Sequence, residues 1–356
     1  MNIISVSAEI VPWSKTGGLG DVCGALPKAF AAMGHRVMTI APRYKDYPDA
    51  WDTGERYRID GHEVAIYHAQ SNGVDHVFVD HPALNRGGIY GDDRGGYSDN
   101  WFRFSLFSRA AAMVLIHYPW DVNTEEKKAL IVHDWHAALV PAYCKMAQQM
   151  GLLGSLKTML VIHNLAHQGE YPHSLFPKLG LSSHFFSDLD MNGRLNWLKA
   201  AMVLCDEICT VSPSYAEEIC GPEYGMGLDG ILRWRRDRLH GILNGIDTEI
   251  YNPESDAMLS RTFSIDDLSG KAIAKSEIQQ ELGLPEDPSA PLFGFVSRLD
   301  AQKGVELIQE ILPWLVHQGA QIILLGTGAS QYQQYLQDMN QHPQVAGIAA
   351  FSSTLA

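Results

Sequence analysis

Near the start of the chain a lysine, three glycines and an aspartate stand close together: Lys15, Gly17, Gly18, Gly20 and Asp21, after the apolar run Asn2-Ile3-Ile4-Ser5-Val6-Ser7. Glycines let backbone N–H groups approach an anion at the positive end of a helix, and Lys15 adds a mobile cation. The group therefore reads as a site for a phosphate-bearing ligand. The structural alternative for Lys15, Gly17 and Gly18 is a tight turn that needs positive φ angles. Asp21 either bonds a ligand hydroxyl or complements the helix amino terminus. The dinucleotide pattern G-x-G-x-x-G fails, because Cys23 stands where the third glycine belongs, and the G-x-x-x-x-G-K-[ST] loop is absent. Both absences turn the reading away from NAD and from P-loop nucleotides.

Positioning these residues requires a strand, a loop and a helix. Val22, Leu26, Ala29, Phe30 and Met33 recur at spacings of three and four, which predicts a helix starting near the glycines, and Val37-Met38-Thr39-Ile40 reads as the next strand. The same design repeats. Leu130-Ile131-Val132 leads into His133-Asp134-Trp135-His136, Met159-Leu160-Val161-Ile162 into His163 and Asn164, and Glu207-Ile208-Cys209-Thr210-Val211 into Ser212-Pro213-Ser214, a helix start. Continuous apolar runs of this kind suit a parallel sheet covered on both faces, and ligands of open α/β sheets bind beyond the carboxyl ends of the strands. The fold class is α/β.

Composition limits the partners. A chain of 356 residues with 46% hydrophobic content can bury a large core and favours two domains. A formal net charge of −14 argues against a nucleic-acid or anionic-membrane surface, so cations used for binding must be local, as Arg298 and Lys303 are. Five scattered cysteines suggest a reducing compartment rather than a disulfide framework. No apolar stretch approaches a membrane span, so a soluble mature chain is expected, with a removed transit segment left open. The His133-x-x-His136 spacing has no further ligand cluster beside it, and no metal is expected.

A polar, proline-punctuated connection runs from Asn252-Pro253 to Pro288-Ser289-Ala290-Pro291, with one helical pattern around Ile273 to Leu282. It divides residues 1–250 from 251–356. Beyond it Leu292-Phe293-Gly294-Phe295-Val296 restarts the strand-loop-helix pattern, followed by a helix through Val305, Leu307, Ile308, Ile311 and Leu312 and the strand Gln321-Ile322-Ile323-Leu324-Leu325. Two clear strands are too few for a covered sheet of usual size.

The decamer Trp13-Ser14-Lys15-Thr16-Gly17-Gly18-Leu19-Gly20-Asp21-Val22 resembles the amino-terminal signature of bacterial glycogen synthases and plant or cyanobacterial starch synthases. The resemblance continues in order through His133-Asp134-Trp135-His136, Ile162-His163-Asn164-Leu165-Ala166-His167-Gln168-Gly169, Leu243-Asn244-Gly245-Ile246-Asp247, Ser297-Arg298-Leu299-Asp300-Ala301-Gln302-Lys303-Gly304 and Leu325-Gly326-Thr327-Gly328. Gly34-His35-Arg36-Val37 and Phe78-Val79-Asp80-His81-Pro82 are closest in wording to the granule-bound branch.

The resemblance implies the GT-B arrangement: two Rossmann-like domains facing across a cleft, with residues 1–250 on the acceptor side and 251–356 a linker plus the first part of the donor-binding domain. It implies glucosyl transfer from ADP-glucose to the nonreducing end of an α-1,4-glucan or maltooligosaccharide with retention, and no cofactor besides the donor substrate. Arg298, Lys303, Lys15 and His163 then take catalytic roles, the first three at the diphosphate or glucosyl unit and His163 at a sugar hydroxyl. Gly17, Gly18, Asp21, Asp134, His136, Asn164 and Asn244 line the substrate. The place of action is the cytoplasm in a bacterium, and the plastid stroma or starch granule in a plant or alga. The family's E-P-C-G-L segment and second T-G-G-L loop have no counterpart in this sequence, so an incomplete second domain is expected. The alternative function is a noncatalytic, glucan-binding remnant of such an enzyme.

Overall fold

The computed structural model describes residues 1–356 except 93–94, 119, 121–126, 351, 353–354 and 356. It divides into two compact units, Met1–Ile246 and Asp247–Ala356.

In unit 1 a nine-stranded sheet carries the site. Its strands are β1 (Asn2–Val6), β2 (Arg36–Pro42), β3 (Trp51–Ile59), β4 (His62–Ser71), β5 (Val74–Asp80), β6 (Lys128–His133), β7 (Lys157–Ile162), β8 (Glu207–Thr210) and β9 (Leu239–Gly241). They lie in the order β9-β8-β7-β6-β1-β2-β5-β4-β3. All pairs are parallel except β3 with β4 and β4 with β5. The antiparallel extension is built on two tight turns, Asp60-Gly61 and Asn72-Gly73, each with both residues at positive φ. That is the geometry a right-twisted two-residue hairpin demands.

β1 is buried along its whole length between β2 and β6, with Ile4 level with Met38 and Leu130. The helices α1 (Gly18–Ala32), α2 (Asn100–His117), α3 (Val140–Gln149), α4 (Trp197–Leu204) and α5 (Pro213–Glu218) accompany the sheet. The core joins strand residues such as Ile40, Val79 and Leu160 to Phe104 and Phe107 of α2 and to Trp197 of α4, all fully buried. Each such side chain contributes about 1.5–3 kcal/mol by leaving water. Trp197 is therefore core. Ser212 caps α5 by accepting from the Tyr215 N–H at 3.0 Å, with Pro213 at the first helical position.

Unit 2 holds a three-stranded parallel sheet, β10 (Leu292–Val296), β11 (Gln321–Leu325) and β12 (Val345–Ile348), in that order, with α6 (Ser269–Glu281), α7 (Val305–His317) and α8 (Ser330–Met339). β11 is buried throughout. β10 exposes Phe293 and Val296, and α7 exposes Leu307, Ile311 and Trp314 on one stripe, as a sheet of too few strands to be covered would. β12 is a third strand that the apolar pattern did not reveal. No described helix is long and apolar enough to cross a membrane.

Candidate active site

The loop between β1 and α1 is shaped by a residue that spacing gave no reason to single out. Glu9 is 2% exposed. Its carboxylate accepts from the Thr16 N–H at 2.5 Å, the Thr16 hydroxyl at 2.7 Å, the Gly17 N–H at 3.3 Å and the Tyr90 hydroxyl at 2.5 Å. Sequence reasoning expected the N–H groups ahead of α1 to await an anion from a ligand. Two of them are already committed to Glu9, an internal anion at the helix amino terminus, which leaves the first-turn groups of α1 itself for a ligand.

The glycines of this loop divide into two kinds. At Gly20 a Cβ would sit 3.1 Å from the Ser14 carbonyl oxygen, and at Gly24 2.8 Å from that of Val11, so these two let α1 close on the loop. Gly17 and Gly18 are different. Gly17 is extended, neither has a positive φ, and a Cβ on either would meet nothing within 4 Å. The tight-turn alternative fails for both, and the space beside them is open.

Lys15 pairs with Asp21 at 2.6 Å, both side chains partly exposed. Asp21 thus orients the Lys15 ammonium from the first turn of α1. Beside them lies a cavity of about 710 Å³ whose lining includes Trp13, Lys15, Thr16, Tyr44, Lys45 and Arg86. Arg86 is held by Asp99 through bonds of 2.6 and 2.9 Å. The 83–89 wall is fixed from beneath by the fully buried Arg103, which donates to the carbonyl oxygens of Ala83 at 2.7 Å and Ile89 at 2.9 Å. Three cationic side chains, Lys15, Lys45 and Arg86, thus line the cavity, two of them paired with carboxylates, and nothing in the sequence spacing singled out Lys45 or Arg86.

The ends of β6 and β7 meet one strand away. Asp134 has φ +53° and ψ −174°, a conformation that non-glycine residues adopt only under strain of order 1–3 kcal/mol. It is held by its N–H, which donates to the Val161 carbonyl at 3.0 Å, and by its carboxylate, which accepts from the His163 N–H at 2.8 Å and the Asn164 N–H at 3.4 Å. Burial pushes the Asp134 carboxyl up to about 7, partly offset by those two N–H bonds. Burial lowers His163 to about 4. His163 contacts His133 at 3.0 Å between Nε2 and Nδ1. Asn164 turns its own carbonyl to the Ala166 N–H at 3.0 Å.

His136 is buried and stacked on Tyr90, with ring centroids 4.6 Å apart, and packs edge-on against Phe104. Its Nδ1 has no partner among the described residues. The Glu9–Tyr90 bond and the Tyr90–His136 stack thus join the Lys15 loop to the His136 ring. His133 and His136 point to different partners, and among the described residues no three His, Cys, Asp or Glu side chains gather as a metal site would require. Asn244 lies on an exposed stretch after β9.

In unit 2 Arg298 and Lys303 share the loop between β10 and α7. Leu299, fully buried, donates its N–H to Thr327 O at 2.8 Å and accepts from the Ala329 N–H at 2.9 Å. The two backbones approach closely because Gly326 and Gly328 lack side chains; a Cβ there would sit 1.9 Å from Ser297 O and 2.2 Å from Leu299 O. Asp300 accepts from the Lys303 N–H at 3.2 Å and lies 3.5 Å from Arg298. Both cations are exposed on a pinned loop.

Removing the Glu9 carboxylate strands buried donors, each costing about 1–3 kcal/mol. Glu9→Ala is expected to destabilise unit 1 by about 3 kcal/mol and to lower its melting temperature by about 6–12 °C, read by calorimetry. A melting temperature within a degree or two of wild type would show that the carboxylate does not hold the loop.

The family model described as the starch synthase catalytic domain matches residues 2–234. Soluble starch synthase 1, chloroplastic/amyloplastic, of Solanum tuberosum is 42% identical over 94% of this chain and 56% of its own length. Granule-bound starch synthase 1, chloroplastic/amyloplastic, of Manihot esculenta is 40% identical over 100% of this chain and 64% of its own. The solved catalytic domain of starch synthase IV from Arabidopsis thaliana, bound to ADP and acarbose, superposes with a TM-score of 0.87 at 30% identity, covering 99% of this chain and 75% of that one. The chain spans about half the length of the first curated relatives it matches. Its fold is the α/β GT-B type of that solved domain, and the chain belongs to the starch synthase catalytic-domain family.

Proposed function

We propose that this chain belongs to an ADP-glucose-dependent α-1,4-glucan synthase, moving glucose to the nonreducing end of a glucan or maltooligosaccharide with retention of configuration. The observation that carries the reading is the open space over Gly17 and Gly18 beside Lys15: neither backbone strain nor packing accounts for these glycines, whereas close approach of a ligand does. The solved relative bound to ADP and acarbose supports a nucleotide and a glucan as ligands.

During transfer, positive charge grows on the departing glucosyl carbon and negative charge on the leaving diphosphate. Fixed cations stabilise the second. Arg298 grips phosphate oxygens through its planar fork, and Lys303 adds a point charge from the same loop. Lys15, steered by Asp21, serves the diphosphate or the glucosyl unit. His163 bonds a sugar hydroxyl, while Asp134, by holding the His163 and Asn164 N–H groups, sets the turn from which both side chains project. Asp134, His136 and Asn164 supply polar edges for glucan hydroxyls, and Asn244 a further one. No protein nucleophile is assigned.

In a plant or alga the place of action is the plastid stroma or the starch granule, following the chloroplastic, amyloplastic and granule-bound relatives; in a bacterium it is the cytoplasm. The test is transfer of labelled glucose from ADP-glucose, with UDP-glucose in parallel, onto maltooligosaccharide, by this chain and by the chain extended to its relatives' length. Transfer from ADP-glucose by either supports the synthase. Glucan binding and cooperative folding without transfer by either would establish the noncatalytic binding remnant instead.

A further inference from the structure

Two side chains on adjacent strands, Ser5 and His133, form a continuous buried line behind His163. Ser5 of β1 contacts Nε2 of His133 at 3.1 Å, and Nδ1 of His133, at the end of β6, contacts Nε2 of His163 at 3.0 Å, just past β7. The strands are neighbours in the order β7-β6-β1; Ser5 lies level with Ile131, two residues before His133, and His133 lies level with Val161, two before His163, so the side chains meet along a diagonal across the strand ends. Ser5 is 4% exposed and His133 is fully buried; His163 is half-buried at the outer end. Burial holds both imidazoles well below the ordinary histidine value, so each is neutral near pH 7 and carries one N–H.

A neutral imidazole donates from one nitrogen and accepts at the other, so the line has only two consistent proton arrangements. In the first, the Ser5 hydroxyl donates to His133 Nε2, the His133 Nδ1–H donates to His163 Nε2, and His163 is left with its proton on Nδ1, facing outward. In the second, every bond is reversed. The Ser5 hydroxyl proton is then buried and without an acceptor, because among the described residues Ser5 Oγ has no partner other than His133. A buried donor without an acceptor is the costlier outcome; an outward N–H on a half-buried ring meets water or a ligand.

We infer that Ser5 and His133 are positioning residues that fix His163 in its Nδ1–H form, presenting a hydrogen-bond donor to an oxygen of the bound sugar. This rests on the reading of His163 as a sugar ligand. It assigns a direction to that bond: His163 donates, and the sugar oxygen accepts. The Nδ1–H form is the less common one for imidazole in water, so its presence at His163 reports the line rather than a default.

The experiment is nitrogen-15 NMR of the full chain with labelled histidine at pH 7.5, the His163 signals identified by their loss in His163→Gln. The expected result is a protonated Nδ1 and an unprotonated Nε2 at His163. His133→Phe keeps a buried ring but removes both nitrogens; His163 is then expected to revert to Nε2–H, with kcat for glucosyl transfer lowered about tenfold. His133→Asn places an amide N–H near the lost Nδ1 and is expected to restore the Nδ1–H form and most of the rate. A wild-type His163 protonated at Nε2, or an unchanged His163 signature in a folded His133→Phe, overturns the inference. Unchanged transfer by His163→Ala would instead overturn the role of His163 in the reaction, and would leave the tautomer result standing on its own.

Discussion

Asp134→Asn is expected to stabilise unit 1 by about 2–4 kcal/mol at pH 8, and by about 2–3 kcal/mol less at pH 5. The carboxyl is held near pH 7 in the folded chain by burial, against an ordinary value of 3.8, and each unit of displacement is worth about 1.4 kcal/mol. Below pH 4 both folded and unfolded chains carry the proton, and Asp134 costs nothing. As pH rises from 4 to 7 the unfolded chain ionises and the folded chain does not, so stability falls across this window and levels off above it. Asparagine keeps an acceptor for the His163 and Asn164 N–H groups and removes the ionisation; its extra amide protons offset part of the gain. Urea titrations at both pH values read the difference directly, and an equal gain at pH 5 and pH 8 would show that the carboxyl is not displaced upward. The neutral buried histidines His133, His136 and His163 act in the opposite direction on the acid side, losing stability as pH falls below 6.5. Comparison of variant with wild type at each pH cancels them. The same variant is expected to lower glucosyl transfer, because it removes the carboxylate proposed to face the glucan hydroxyls.

The parts of this arrangement that sequence made legible are those written in local periodicity. α1 begins at the glycines because its apolar spacing begins there, and β1, β6, β7 and β8 end near the predicted polar residues because an apolar run inside a parallel sheet stops where the sheet stops. The helix start at Ser212 followed from its capping chemistry. What stayed hidden depends on contacts distant in sequence. Glu9 reads as one charge between Ala8 and Ile10, and only the fold brings Tyr90, Thr16 and Gly17 to it. Lys45, just past β2, and Arg86, on the loop that the buried Arg103 ties down, join Lys15 only in the fold. The β3–β5 extension carries a readable hairpin signal, Asp60-Gly61 and Asn72-Gly73 between its strands, distinct from the apolar runs that mark the parallel strands. β12 is short and contains Ala346 and Gly347, too little apolar pattern to stand out. The two compact units divide between Ile246 and Asp247, inside the exposed stretch that also holds Asn244.

Arg298→Ala and Lys303→Ala are each expected to lower kcat for transfer from ADP-glucose by about 10²–10³, equivalent to about 2.7–4 kcal/mol of lost leaving-group stabilisation. The structure makes this a clean measurement. Both side chains are exposed on a loop whose shape is set by Leu299, Asp300, Gly326 and Gly328, so truncating either leaves the fold's own bonds in place. Stability is expected to change by no more than about 0.5 kcal/mol, as for surface substitutions generally. A loss of rate without a loss of stability then reports chemistry. Arg298→Lys separates charge from geometry: it keeps a cation but loses the two-pronged grip, and is expected to recover only part of the rate. The assay uses whichever chain length supports transfer, with kcat and KM measured separately. A fall in kcat with KM little changed places the contact in the transition state, where negative charge on the diphosphate is greatest. A rise in KM alone would mean that these cations hold ground state and transition state equally and that another group carries the departing charge.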